Sequence, residues 1–354
     1  MFNLGVKKSF GIDIGTQTIK IVEITDGNGK LSIDNYSIWG NDISNVIQQK
    51  NSETSLSPQD ITQIIKLMLQ KSGMSLSEAY VALPSYMALF AVTQVPMLDE
   101  KELLTALPLE AKKHIPVPLN SVQLDWINLG KNNLKDKYNI LIIAVPNSVA
   151  DKYIEITKTL GIKIKGFELD CFSTLRTLNL TNEATCIIDI GARNSTVMIV
   201  NNKQLQTIQS FDFGGNYITE AIAQLKGCSA LEAENLKKQN GLTGSSSQIT
   251  DIIKSKIDNF FSNDVSRLLK IVNDDLAIKI DNIVVLGGMS QMNGIMEYLK
   301  FIFKNQFNNE NIKIYKATSA KTVSVKGISD LDIATSIWQD LILSVGVALK
   351  NYIE

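Results

Sequence analysis

Cysteine and histidine are nearly missing from this chain, which has three of the first and one of the second in 354 residues. Cys171, Cys186 and Cys228 have neither metal-ligand spacing nor the pattern of a disulfide framework. They read as reduced thiols of a cytosolic protein, with Cys186 at the start of a buried strand. A lone His114 excludes a histidine-based triad and a multi-histidine metal site. It falls at a predicted helix end before Pro116, where a cation meets the helix dipole favourably, and this outweighs a catalytic reading. Neither sign of charge is in excess: 35 Lys and Arg face 36 Asp and Glu. No overall field therefore draws in nucleic acid or anionic lipid. No run of about 18 apolar residues appears, so no spanning helix is predicted. Met1–Ser9 has no apolar core of a signal peptide.

What remains is a 44% hydrophobic, 20% charged chain, the profile of a packed globular protein long enough for two domains. Ser9–Ile24 reads as a hairpin, followed by a strand over Lys30–Ile38 and a polar loop over Asn41–Ser57. A helix starts near Pro58 and stops at Gly73. Short strands are predicted at Tyr80–Leu83 and Leu89–Val95, and a helix over Asp99–Lys113 that Pro108 interrupts or delays. A polar hairpin tip, Lys131–Lys137, precedes the strand Tyr138–Val145. Helices at Ser148–Leu160 and Cys171–Leu178 flank an extended Lys163–Leu169. The opening pattern then returns as Cys186–Gly191, a turn, and Thr196–Val200. Helices follow at Tyr217–Leu225, Ala230–Gln239 and about Ile249–Val272, then a buried strand Ile283–Leu286 and helices Gly294–Asn305 and Ile333–Lys350. Alternating strands and helices in two similar halves predict an α/β bilobed fold.

The repeated element carries chemistry. A buried strand ending in Asp-Ile-Gly sets a carboxylate at a sheet's carboxyl edge beside a backbone free to turn. In the first copy the turn is Gly15-Thr16-Gln17-Thr18, whose N–H groups and hydroxyls can cup phosphate oxygens. Asp13 would face Mg²⁺ directly or through water, and Lys20 would neutralise phosphate. The second copy offers Asp189, Gly191 and the turn through Arg193, Asn194 and Ser195. Alternation equally allows Asp13 to be a solvent-facing strand residue. The strand ending in Gly287-Gly288 supplies the bare backbone on which a purine can lie.

Two Asp-Ile-Gly turns and a Gly-Gly in this order resemble the phosphate-1, phosphate-2 and adenosine motifs of the actin-like ATPases. Within them the chain is similar to the PilM family of type IV pilus assembly, related to the division protein FtsA. The carrying stretches are Phe10–Glu23, Val81–Pro84, Leu109–Pro118, Asp189–Arg193, Phe213–Glu220 and Glu232–Gly241. The resemblance implies a duplicated ribonuclease H-like fold, with a first lobe over 1–182 carrying an inserted subdomain at about 85–139. The second lobe would cover 183–354, with a subdomain at about 216–280. It also implies ATP and Mg²⁺ as ligands, Asp13 and Asp189 facing the metal, and Gly214 and Gly215 near the phosphates. Glu234 and Lys237 would contact the ribose, unless they are a solvated helix face. Asp170 would orient water, unless it caps the helix after it. Met289 stands where the family has a small residue, and either packs on a purine or fills the pocket.

Four readings are open to such a chain, one of them a degenerate relative that has lost nucleotide, against which Asp13, Lys20, Asp189 and both Gly-Gly pairs argue. An ATP-holding cytoplasmic scaffold would bind the N-terminal tail of a PilN-like inner-membrane protein in a groove beside the inserted subdomain, with self-association left open. It would sit at the inner face of the membrane through that partner and be at most a slow ATPase. A small-molecule kinase would need a base and a substrate pocket, and no such constellation stands out. An FtsA-like filament former should show an amphipathic anchor, and Lys350–Glu354 is too short for one.

Overall fold

The computed structural model describes residues 7–40, 56–132, 137–306, 312–317, 323–328 and 331–352. These fall into two compact units, Met1–Asn179 with Ser319–Glu354, and Leu180–Thr318.

The first unit opens with β1 (Lys7–Ile14), β2 (Ile19–Gly27) and β3 (Lys30–Trp39), an antiparallel meander. The loop expected at 41–57 lies outside the described residues up to position 55. Ser57 then caps α1 (Pro58–Ser72) in a reciprocal capping box with Asp60, with Pro58 in the first turn and Gly73 left-handed at the stop. β4 (Glu78–Leu83) runs parallel to β1, and β8 (Lys163–Leu169) runs parallel to β4.

Between β4 and β8 the chain builds a separate three-stranded antiparallel sheet. Its order is β5 (Leu89–Pro96), β7 (Lys137–Pro146), β6 (Val122–Asn132). It has its own core with α2 (Glu100–His114), including Leu103, Leu107, Ile140 and Ile142. The insertion therefore extends to Pro146 instead of ending near 139, because β7 is the central strand of that sheet. The hairpin tip at 133–136 lies outside the described residues. Pro108, expected to interrupt or delay α2, sits inside it without a break. It is on the exposed face, where water can hydrate the carbonyl that loses its partner. α3 (Asn147–Thr159) precedes β8, and α4 (Asp170–Thr177) follows it.

The second unit repeats the plan. β9 (Thr185–Ile190), β10 (Ser195–Asn201) and β11 (Gln204–Phe211) form the meander; β12 (Asn282–Leu286) and β13 (Lys313–Lys316) add in parallel. The order β11-β10-β9-β12-β13 matches β3-β2-β1-β4-β8 strand for strand. Helices α5 (Gly215–Lys226), α6 (Ala230–Asn240), α7 (Ser247–Asn259), α8 (Ser266–Leu276) and α9 (Ile295–Gln306) complete it. A π-helical turn, Phe260–Val265, joins α7 to α8. It lets the neighbours Phe260 and Phe261 both enter the core, where Phe260 stacks on Phe213 at 4.3 Å and Phe261 meets Phe303 edge-on. The stretch 216–280, expected as a subdomain, shares one hydrophobic core with the five-stranded sheet.

The second lobe expected to reach residue 354 ends at Thr318. β14 (Val323–Val325) pairs with β3, and α10 (Leu331–Leu349) packs on β1, β2, β4 and α4. The reason is α10's apolar side, on which Trp338, Leu341, Val345 and Ala348 are fully buried. Two glycines permit the approach. A Cβ on Gly11 would lie 2.0 Å from the Ser344 carbonyl, and one on Gly346 would lie 2.1 Å from that of Ser173. Ser9 fixes the register by donating to the Ala348 carbonyl at 2.7 Å. No helix among the described residues is long and apolar enough to cross a membrane.

Candidate functional site

The two turns have one construction. Each begins with a glycine whose N–H donates to the carbonyl three residues on, Gly15 to Thr18 at 2.9 Å and Gly191 to Asn194 at 3.1 Å. A Cβ would crowd that carbonyl, at 3.0 Å for Gly15 and 2.9 Å for Gly191. Thr16, Gln17 and Thr18 are partly exposed, as is Ala192, and Arg193 is exposed. These turns therefore present backbone at the carboxyl edge of each sheet.

In the first unit Asp13 is 7% exposed, which removes the solvent-facing alternative. It stands directly across the strand pair from Lys20, whose ammonium is 3.7 Å away. Burial raises the Asp13 pKa, and the charge and hydrogen bond of Lys20 only partly oppose this. A further cation would favour the ionised form, so the position fits Mg²⁺. Among the described residues no three acidic, cysteine or histidine side chains gather to hold a metal. A Mg²⁺ here would draw its other ligands from phosphates and water.

Asp170 does not cap its helix. Leu169 is the cap position, and Asp170 lies within the first turn of α4. Its Oδ1 accepts from the Ser85 N–H at 3.1 Å and from the Ser85 hydroxyl, which in turn accepts from the Cys171 N–H at 3.1 Å. Ser85 follows β4, and Asp170 follows β8, so neighbouring parallel strands bring them to one edge. Buried Tyr153 lies within electrostatic reach of Asp13 and Asp170. Burial first, then the charges of Asp13, Tyr86 and Asp170, push its phenol far up, so it stays neutral. Sequence reading named neither Ser85 nor Tyr153; Pro84-Ser85 at the end of a predicted strand was the available signal for the first.

In the second unit Asp189 lies opposite Thr196 on β10 and beside Leu286 on β12. The next residue, Gly287, has φ +81, and a Cβ on it would lie 2.4 Å from Asp189 Oδ1. The second phosphate motif and the Gly287-Gly288 motif thus meet in one place. Gly214 and Gly215 dock on the turn: Gly215 N–H donates to the Gly191 carbonyl at 3.0 Å, and Asn216 N–H to that of Ala192 at 2.7 Å. Asn194 donates to Asp212 at 3.2 Å, while its side-chain carbonyl is buried with no partner.

Ser195, Met289 and Lys237, all expected at the ligand, are buried. Ser195 is buried, and its hydroxyl donates to the Phe213 carbonyl at 2.7 Å, so it braces the turn from behind. Met289 is 4% exposed and belongs to the hydrophobic core, with its Cγ 3.8 Å from where a Cβ on Gly215 would stand. Glu234 and Lys237 are no solvated face: Lys237 is 7% exposed and pairs with Glu234 at 2.5 Å. The solvated-face alternative falls because α5 packs along that side of α6.

A duplicated sheet with a carboxylate and a glycine turn in each copy defines the actin-like ATPase fold. A solved PilM–PilN type IV pilus biogenesis complex has a chain similar in fold at a TM-score of 0.80. It is 19% identical, and the match covers 98% of this chain and 99% of that one. MreB5 of Spiroplasma citri, solved bound to ADP, matches at a TM-score of 0.50 with 14% identity over 95% of this chain and 97% of that one. Cell division protein FtsA of Streptococcus pneumoniae is 21% identical over 65% of this chain and 55% of its own length, so the chain spans about half of that relative. The family model for type IV pilus assembly protein PilM matches residues 11–351, and the chain belongs to that family.

Proposed function

We propose that the chain is an ATP-binding scaffold of type IV pilus assembly that holds the N-terminal cytoplasmic tail of a PilN-like inner-membrane protein. The observation that supports nucleotide binding is the repeated turn, with a carboxylate two residues before the same backbone hairpin in both units. Gly15–Thr18 and Gly191–Asn194 bind phosphate oxygens through their backbone. Asp13 in the first unit and Asp189 in the second are each a carboxylate suited to face Mg²⁺, directly or through water. Gly287 and Gly288 offer bare backbone to the base. Asp170, with one oxygen engaged by Ser85, is the candidate for orienting water. We expect turnover of the isolated protein well below about 1 s⁻¹.

The partner reading draws on the fold likeness to the chain solved with PilN. An extended tail would lie beside the inserted sheet β5-β7-β6, whose outer strands, β5 and β6, pair with no further strand among the described residues. The position at the inner face of the membrane follows from that partner.

Calorimetry with Mg-ATP on wild type and Asp13→Ala tests the nucleotide. Heat is expected for the first and none for the second, and a silent wild type ends the reading. Capture of PilN-like N-terminal peptides, with and without Mg-ATP, tests the partner. Equal capture of scrambled peptides would remove it.

A further inference from the structure

Lys237 occupies the place where the resemblance puts a ribose contact, yet its ammonium is committed elsewhere. It donates to the Gly215 carbonyl at 3.0 Å and to the Thr219 hydroxyl at 2.9 Å, and pairs with Glu234 Oε2 at 2.5 Å. An ammonium has three donors and no acceptor, so these partners use its whole capacity. The Thr219 hydroxyl donates to Glu234 Oε2 at 2.6 Å, which closes the cluster. Burial lowers the Lys237 pKa against the pull of Glu234. Burial also raises that of Glu234, but the charge and hydrogen bond of Lys237 lead a set of partners that hold it below its ordinary value.

The cluster closes on the first turn of α5, and that turn grips the second phosphate loop. Gly215 receives Lys237 at its carbonyl and donates its N–H to Gly191; Asn216 donates to Ala192. Gly214 lies so near that a Cβ on it would be 2.7 Å from the backbone of Ala192 and Arg193. A Cβ on Gly215 would come within 3.1 Å of the Lys237 ammonium. Direct contacts thus run unbroken from α6, through Gly215, to the turn Gly191–Asn194.

We infer that Lys237 is a positioning residue that sets the shape of the second phosphate turn through the start of α5, and that it makes no bond to nucleotide. Glu234 keeps its other oxygen, 3.9 Å from Lys238, as the polar atom of that pair left for a sugar hydroxyl. The inference rests on the reading of the turns as phosphate sites. A ribose contact and a turn brace differ in which part of the ligand feels the loss. Without a ribose contact, adenosine and ATP weaken and triphosphate does not. Without the brace, triphosphate and ATP weaken together and adenosine does not.

The test uses the full chain with Lys237→Met and, independently, Thr219→Val, which opens the cluster and keeps the lysine. Calorimetry measures Mg-ATP, Mg-tripolyphosphate and adenosine. Hydrogen exchange follows residues 189–196 in ligand-free protein. Both variants should bind Mg-ATP and Mg-tripolyphosphate about tenfold more weakly, the scale of one lost charge-assisted hydrogen bond. Adenosine should be unchanged, and exchange in the turn should rise. The inference is overturned if Lys237→Met weakens adenosine and ATP but leaves tripolyphosphate and turn exchange at wild-type values. If Lys237→Met does not fold, unchanged exchange in Thr219→Val overturns it equally. A wild type that binds no Mg-ATP defeats the nucleotide reading, and exchange still decides whether Lys237 shapes the turn.

Discussion

The hairpins β1–β2 and β9–β10 share turn length, turn hydrogen bond and carboxylate position, yet their neighbours differ at two register points. Across from Asp13 stands Lys20; across from Asp189 stands Thr196. Two residues before each carboxylate stand Gly11 and Ile187. Gly11 is a gap into which the backbone of α10 fits, whereas Ile187 is a full-sized, fully buried side chain. The first copy supplies its own cation within 3.7 Å. The second meets Gly287 and the braced start of α5. Duplication has kept the backbone device and the carboxylate, while the surroundings of each have diverged to separate tasks.

The comparison breaks most easily at the helix contact. Gly11→Val should destabilise the first unit by about 3 kcal/mol or more, because a backbone carbonyl cannot yield to the new carbons. Ile187→Val should cost the second unit only about 1 kcal/mol. Urea denaturation of both variants checks this, and equal costs would show that the two positions are equivalent after all.

Exchanging the cross-strand partners has a smaller expected effect. Lys20→Thr should weaken Mg-ATP about tenfold by calorimetry, as one charge-assisted contact is lost. Thr196→Lys should leave the affinity within about threefold, since Asp189 is not built around a lysine. The reverse order would mean that the second turn, not the first, needs the extra cation.

The smallest effect concerns the carboxylate pinning each unit's helices, Glu168 in the first and Glu234 in the second. Glu168 accepts from Arg176, whose Nη2 is 2.7 Å away, and from Ser173 at 2.7 Å, while Arg176 also donates to the Gly346 carbonyl of α10. Burial alone would raise the Glu168 pKa, but the hydrogen bonds and charges of these partners outweigh it and hold it below 4.5. A depressed folded value means that the stabilisation is complete above the unfolded pKa and fades as pH falls through the folded one. Wild type should therefore exceed Glu168→Gln in stability by on the order of 1 kcal/mol at neutral pH. That gap should close in acid, and thermal melts from pH 7 to 3 would show it; a constant gap would assign the effect to packing.

Legibility followed the range of the interactions. Pro58 and Gly73 made α1 readable, since both signals belong to one helix, whereas its Ser57–Asp60 capping box drew no notice. The core strands announced themselves by apolar runs. Strands over 122–132, 204–211, 313–316 and 323–325 drew no assignment: three lie at sheet edges, where polar residues intrude, and β6 is also an outer strand of its small sheet. Ser85 and Asp170 are 85 residues apart and meet only because β4 and β8 are neighbours. Whether Lys237 was solvated or a ligand contact stayed open because periodicity along α6 cannot register α5 beside it.

The sequence alone determined the two Asp-Ile-Gly hairpins, their order ahead of Gly287-Gly288, and so the class of fold. Each of these is a local backbone requirement that only a few residue types satisfy. Tertiary structure alone decided that the last helix returns to the first sheet, that Gly11 serves that helix, and that Lys237 and Ser195 brace a turn from behind. Those outcomes depend on which surfaces become neighbours once the core closes, and no spacing along the chain encodes that.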